Sequence, residues 1–405
     1  MIRENRQKLA IDGGAKTRQA PMPPRQALGP AERQKIQSVL DHYDALQRDP
    51  GYQGHFEALY TDAFVEFMGG RGYADAVATG TSAVYLALAS LDLPRGAQVL
   101  VSPITDPGTL SAIILQGLVP RLVDTAPGSY NTSATEIAKR LTPEVKAICL
   151  VHAAGESADI EAVTDLAANR GIPLVEDCSQ AHGAMVAGRR LGTFGAIAAF
   201  STMYRKAHMT GASGGLYYTA DEARFRRAMA HADRGKPRWQ DGFDDKDPGT
   251  FLFPALNHHT DEISCAVGIA SLGRLDGTRK RRMAFVEGLR ERLSRRSRVC
   301  RTYALSADSS PFYLPIHVEV ERLSVTKKVF ALAVAAEGVD INADYRYVVA
   351  DWPWVKPHLA DGFDCPNAHR VRDTTFNILF NENYGPTEAE DIAMAIEKVE
   401  SFYVS

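Results

Sequence analysis

Two short stretches hold the residue types that could do chemistry. Phe200-Ser201-Thr202-Met203-Tyr204-Arg205-Lys206 ends on a lysine, and Gly214-Gly215 follows it. Upstream, an apolar run closes in Glu176-Asp177-Cys178-Ser179-Gln180-Ala181-His182-Gly183. An acid ending a buried strand, with a lysine on a later loop, suits pyridoxal phosphate (PLP) chemistry. The lysine amine holds the cofactor as a Schiff base, and the acid keeps the pyridine nitrogen protonated so that the ring accepts electrons. A neighbouring opposite charge moves a pKa by ~1 to 3 units, enough for that task.

Each residue also has a plainer reading. Taken locally, Asp177 is equally a helix cap and Lys206 a solvated side chain. Gln180 is either a partner for the cofactor's phenolic oxygen or a loop amide. Glycines 211, 214 and 215 permit close backbone approach beside Lys206. His208 is a proton relay or a structural histidine. Thr79-Gly80-Thr81-Ser82-Ala83 opens an apolar helix, whose free N–H groups and positive dipole end attract an anion. Thr81, Ser82 and Ser201 would add hydroxyls, although Ser and Thr also cap helices that bind nothing.

The elements that must position these residues alternate. Helical spacing covers 31–47, 55–68, 80–91, 110–116, 133–141 and 161–170. Between them lie β-rich apolar runs at 97–102, 121–124, 146–152, 172–177, 196–200 and 215–219. Near-continuous apolar strands alternating with helices predict an α/β fold with a mainly parallel sheet between helices. Ligands bind such sheets at the carboxyl ends of the strands, where Asp177 and Ser201 fall. After about residue 275 the pattern changes. A charged helix from Arg279-Lys280-Arg281-Arg282 to Arg295 is read as a solvated face, and helices at 325–337 and 387–402 accompany β segments at 311–317 and 375–380. The expected organisation is an arm at 1–30, a large domain at 31–275 and a smaller α+β domain at 276–405.

Bulk properties exclude several classes. The chain has 405 residues, 45% apolar and 23% charged, with net charge −3. That charge gives no electrostatic case for nucleic acid or an anionic membrane. No run approaches the ~20 apolar residues of a membrane span. The charged start, Met1 to Lys8, lacks a signal-peptide core. Five scattered cysteines form no C-x-x-C pair, so neither a metal site nor a disulfide framework is expected, and the thiols suit a cytoplasmic protein.

Taken in order, the motifs resemble those of the DegT/DnrJ/EryC1/StrS sugar aminotransferases, PLP enzymes of fold type I. They are G-T-S-A at Gly80, V-x-P-x-T at Val101, V-D at Val123, V-H at Val151 and E-D-x-x-Q-A-H-G at Glu176. G-x-x-G at Gly192, F-S-x-x-x-x-K at Phe200, T-G-x-x-G-G at Thr210, an N-x-x-x-x-E-I segment at Asn257 and C-P-x-A at Cys365 complete the set. The resemblance runs from about 75 to 275 and more loosely to the end. It implies that Lys206 bears the cofactor and shuttles protons. Asp177 would pair with the pyridine nitrogen and Gln180 with the ring hydroxyl, while Thr81, Ser82 and Ser201 bind the phosphate. Asn257 would reach the phosphate of a neighbouring subunit, in a homodimer with shared sites.

The chain departs from that family in three places. Asp106 stands where an aromatic ring usually stacks on the cofactor, with His182 or a shifted side chain as the substitute. Ser213 replaces an acid before Gly214-Gly215, and His259 replaces an arginine. With the T-D-P-G-T and F-S-T-M-Y-R-K segments, these changes resemble the branch that aminates 3-oxo-glucose 6-phosphate on the way to kanosamine. Tyr204, Arg205, His208, His259 and Arg346 are then candidates for the substrate side. The expectation is transfer of an amino group from an amino acid, L-glutamate, to a keto-sugar. The rivals are a PLP-dependent sugar 3-dehydratase or other lyase, and a PLP-binding regulatory protein. In the dehydratases histidine replaces the lysine, and Lys206 is present here.

Overall fold

The structure, a computed structural model, describes residues 8–303 and 305–404. Residues 1–7 of the charged start lie outside it. Thirteen strands occur among the described residues. In chain order β1 is Tyr73–Val77, β2 Gln98–Val101, β3 Val119–Leu122, β4 Val145–Val151 and β5 Leu174–Asp177. A small hairpin pairs β6 (Met185–Val186) with β7 (Arg189–Arg190). Then come β8 (Ile197–Ser201), β9 (Gly215–Thr219), β10 (Cys300–Thr302), β11 (Leu314–Val318), β12 (Ile341–Asn342) and β13 (Thr375–Ile378).

Seven strands form one sheet in the order β1-β9-β8-β5-β4-β2-β3. The pairings β3–β2, β2–β4, β4–β5 and β5–β8 are parallel, and β9 runs antiparallel to both β8 and β1. The apolar runs explain why both faces are covered. In β4, Ala147 and Cys149 enter one buried cluster while Ile148 and Leu150 enter another, and β2 divides Val99 and Val101 from Leu100 in the same way. Successive side chains of a strand point to opposite faces, so an unbroken apolar strand needs a core on each. Helices such as Gly80–Ala89 and Ile160–Arg170 supply those cores.

The second sheet, β10-β11-β13-β12, is antiparallel throughout. Helices Leu275–Arg296, Lys327–Ala336 and Pro386–Tyr403 close its core, which Leu9 and Met22 of the N-terminal arm also enter. The expected solvated face on Leu275–Arg296 holds at the exposed Lys280 and Arg281 but needs correction at Arg282. Arg282 is 1% exposed and donates to Glu382 (2.9 Å) and to the Pro311 carbonyl (3.2 Å). A charged run read alone cannot reveal a partner far along the chain. All five cysteines are buried and free. Among the described residues no helix is long and apolar enough to cross a membrane.

Candidate active site

A cavity of about 720 Å³ opens over the carboxyl ends of the parallel strands. Its walls come from the loops after β5 and β8, the start of helix Gly80–Ala89, helix Pro107–Ile114, and residues of the second sheet. Among the residues expected from the sequence it brings together Lys206, Asp177, Gln180, Thr81, Ser201 and Arg205.

Asp177 closes β5 and is 4% exposed. Its Oδ1 accepts the Ser179 N–H (3.1 Å) and its Oδ2 accepts the Thr109 hydroxyl (3.0 Å), which in turn meets Thr105 Oγ1 (2.9 Å). These bonds fix the carboxylate at the cavity floor. The adjacent Glu176 has a different task. Its oxygens accept the N–H groups of Gly192, Phe194 and Gly195 at 2.6–2.8 Å and clamp the turn before β8. Glu176 lies close to His152 and Cys178. Its carboxylate is thus occupied as a structural clamp. Gln180 Oε1 accepts the Ala154 N–H (2.9 Å).

Lys206 follows a tight turn after β8, with its N–H on the Met203 carbonyl (2.9 Å). It is 8% exposed, and its Nζ lies 4.2 Å from the centre of the Phe312 ring. Burial pulls its pKa down from 10.5 to about 8, against the opposing pull of Asp177 and Asp106. About a tenth of the amine is therefore neutral and nucleophilic at pH 7, against well under a thousandth for an ordinary lysine.

The phosphate end lies at helix Gly80–Ala89. Thr79 caps it, its Oγ1 accepting the Ser82 N–H (2.9 Å). The first-turn N–H groups have no partner within the helix. A Cβ on Gly80 would sit 2.4 Å from Ser201 Cβ, so only glycine lets the helix start meet the end of β8. Thr81 and Ser201 both line the cavity there. Ser82 does not, because its hydroxyl bonds Thr79 Oγ1 and His258 Nδ1, each at 2.9 Å. Ser179 joins the site instead, its Oγ accepting the Ser201 N–H (3.0 Å).

The remaining candidates lie elsewhere. His208 is wholly buried in the core, with Nε2 2.5 Å from Tyr60 Oη. Tyr204 is exposed beside the cavity. Arg346 is exposed and bonds Asp344 (3.0 Å). His259 stacks on Tyr52 at 4.4 Å and lies 3.3 Å from Asp233. Asn257 is on the surface, outside the cavity of its own chain.

Neither Asp106 nor His182 supplies the usual stacking ring. Asp106 caps helix Pro107–Ile114 through the Gly108 N–H (2.9 Å), which explains a carboxylate at that position. His182 donates Nε2–H to the Ser201 carbonyl (2.8 Å), and burial pushes its pKa down to about 3, so it is a neutral support that does not line the cavity. Of the aromatic residues lining the cavity, Phe312 is the one set against the Lys206 amine. It arrives because Gly155, at φ +88°, lies against Ser310, where a Cβ would be 1.9 Å from the Ser310 carbonyl oxygen. The Phe312 N–H bonds the Ala154 carbonyl (3.2 Å). No sequence signal pointed to Phe312, Thr109 or Ser179, although Thr109 lies in the T-D-P-G-T segment already singled out.

The donor set fits PLP: a buried amine of lowered pKa, a fixed carboxylate, and a capped helix start beside hydroxyls. Fold and site define a fold type I enzyme whose cofactor is PLP. The chain belongs to the DegT/DnrJ/EryC1/StrS aminotransferase family, whose model matches residues 32–397. The L-glutamine:scyllo-inosose aminotransferase of Streptomyces griseus is 28% identical over 418 aligned positions, covering 96% of this chain and 97% of that one. Protein MosB of Rhizobium meliloti is 40% identical over 156 residues, 38% of this chain and 30% of MosB. A match to a Micromonospora echinospora relative likewise spans 66% of that protein. Among solved structures, an aminotransferase from Psychrobacter cryohalolentis superposes with TM-score 0.85 at 24% identity, over 94% of this chain and 99% of that one.

Proposed function

We propose that the protein moves an amino group from an amino acid to the ketone of a cyclic polyol, a keto-sugar or keto-cyclitol. The observation that carries this reading is the buried Lys206 amine of lowered pKa sharing one cavity with the fixed Asp177 carboxylate. PLP, when bound, supplies the electron sink that lets a proton leave the carbon next to the nitrogen. Asp177 holds positive charge at the pyridine nitrogen. Lys206 Nζ would remove the donor's α-proton and return a proton to the acceptor's carbon. Thr81, Ser201 and the helix start bind the phosphate and fix the ring's position. Phe312 and the second sheet keep water from the amine.

For the donor, L-glutamate and L-glutamine are the two members of one class, and the name of the Streptomyces griseus relative favours the amide. For the acceptor, 3-oxo-glucose 6-phosphate and an inosose are the competing rings. The first follows from the T-D-P-G-T and F-S-T-M-Y-R-K segments, the second from the relative's name. The reading includes a cytoplasmic homodimer in which Asn257 serves the partner's phosphate site. It also includes a cofactor domain at 31–275 and a closing domain at 276–405.

The test is the absorbance of the protein with PLP, before and after each donor. A visible band that disappears with one donor and returns with a keto-sugar supports amino transfer. A band that no amino acid shifts turns the reading toward a lyase or dehydratase, and no band at all removes Lys206 from its role.

A further inference from the structure

Arg25 precedes the residues that the family model matches, yet it lines the cavity. The arm is held there by Asn381 and Asn383, whose side-chain amides donate to the Pro23 and Pro24 carbonyls at 2.8 and 2.9 Å. The Arg25 guanidinium is tied at two of its three nitrogens. Nε donates to Glu382 (3.0 Å) and Nη1 to the Tyr204 carbonyl (2.5 Å). Nη2 is buried and has no partner among the described residues. Buried guanidinium N–H groups are costly to leave unpaired.

Charge at this wall is also unbalanced. Glu382 answers both Arg25 and Arg282, so one carboxylate faces two guanidiniums. The carbonyl that Arg25 grasps belongs to the residue before Arg205, which lines the same cavity. The Arg205 guanidinium rests 5.5 Å from the Tyr204 ring centre and forms no salt bridge among the described residues. Asp106, Asp177 and Asp340 also line the cavity, but none pairs with Arg25 or Arg205: Asp106 caps its helix (2.9 Å), Asp177 accepts the Thr109 hydroxyl (3.0 Å), and Asp340 accepts the Tyr384 hydroxyl (3.1 Å).

We propose that Arg25 and Arg205 form an oxyanion subsite for a phosphate or carboxylate carried by the substrate away from its reacting carbon. Guanidinium N–H groups suit such oxygens because their charge-assisted bonds match the planar fork. The inference rests on the amino-transfer reading. It makes the N-terminal arm a specificity element.

The test uses holoenzyme, in which PLP occupies the cofactor's own phosphate cup. Inorganic phosphate is titrated by calorimetry into wild type, Arg205→Ala, Arg25→Gln and Arg25→Lys. Saturable binding is expected to weaken by about tenfold or more in the first two variants and less in the lysine variant. Arg205 has no partner to lose, so its variant keeps the test valid if Arg25→Gln misfolds. Steady-state arms identify the source. If KM rises for glutamate but not glutamine, the subsite holds the donor's distal carboxylate. If it rises for a sugar phosphate but not the free sugar, it holds the acceptor's phosphate. The proposal is overturned if folded variants change neither phosphate affinity nor KM for any anionic substrate, even while donors are converted. Arginine-dependent phosphate binding without conversion of any donor would instead retain the subsite and remove the amino-transfer reading.

Discussion

Lys206 and Phe312 belong to different sheets' connections, yet the Lys206 amine lies 4.2 Å from the centre of the Phe312 ring. The ring covers the amine and helps exclude water. Burial, the main cause of the lowered lysine pKa, is thus a product of two distant segments meeting.

The first prediction concerns that pKa. Between about 8 and 10.5 the folded lysine is neutral while an unfolded one is charged, so the amine gains reactivity early. The rate at which apoprotein captures PLP should climb with pH and level off above about 8. A midpoint near that of free lysine would refute the burial argument. Lys206→Ala should lose capture and at least ~10²-fold of turnover while keeping its circular dichroism.

Phe312→Ala should admit water to the amine. A favourable ring–cation contact of ~0.5 to 2 kcal/mol is lost, but so is desolvation, the larger influence. The capture midpoint should therefore move up toward the ordinary lysine value. A downward shift would mean that the ring stabilises the ammonium more than it dehydrates it.

Asp177→Asn should retain PLP through the phosphate end but lower turnover by ~10 to 10³-fold, the equivalent of 1 to 3 pKa units at the pyridine nitrogen. Thr109→Val removes one hydrogen bond to the same carboxylate and should cost about tenfold. The two effects should not add in the double variant, because Thr109 acts through Asp177. Additive losses measured in kcat would contradict that coupling.

A fourth expectation concerns stability. Burial and the neighbouring Asp75 push the Glu57 carboxyl well up, and Asp75 is raised mainly by burial, although Tyr217 donates to it (3.0 Å). The folded state then holds protons that the unfolded state releases above pH ~4.5, so stability falls as pH rises from there. Glu57→Gln should flatten the decline and stabilise the protein by ~1 kcal/mol or more at pH 8. Denaturant midpoints at pH 5 and 8 check it, and an unchanged difference between them would count against the account.

Much of the fold was legible because the parallel strands are apolar throughout and their helices keep regular spacing. Strand β1 was not, since Tyr73-Ala74-Asp75-Ala76-Val77 carries a buried acid whose hydroxyl partner, Tyr217, lies on β9. Helix Glu262–Gly273 also escaped notice, although Asp261 caps it by accepting the Ser264 N–H (2.8 Å).

By itself the sequence determined which residues could carry the chemistry. Asp177 ends a strand, Lys206 follows a later strand by a short turn, and Thr79 caps a helix, all through spacing along the chain. Only the tertiary structure decided what surrounds them. Thr109 steadies Asp177, Phe312 dries Lys206, and Arg25 and Arg282 share Glu382 because segments from 68 to 357 residues apart pack together. Local pattern sets backbone direction and element type over a few residues. Burial, pKa and unpaired charge depend on what lies opposite, and that is settled when the cores close.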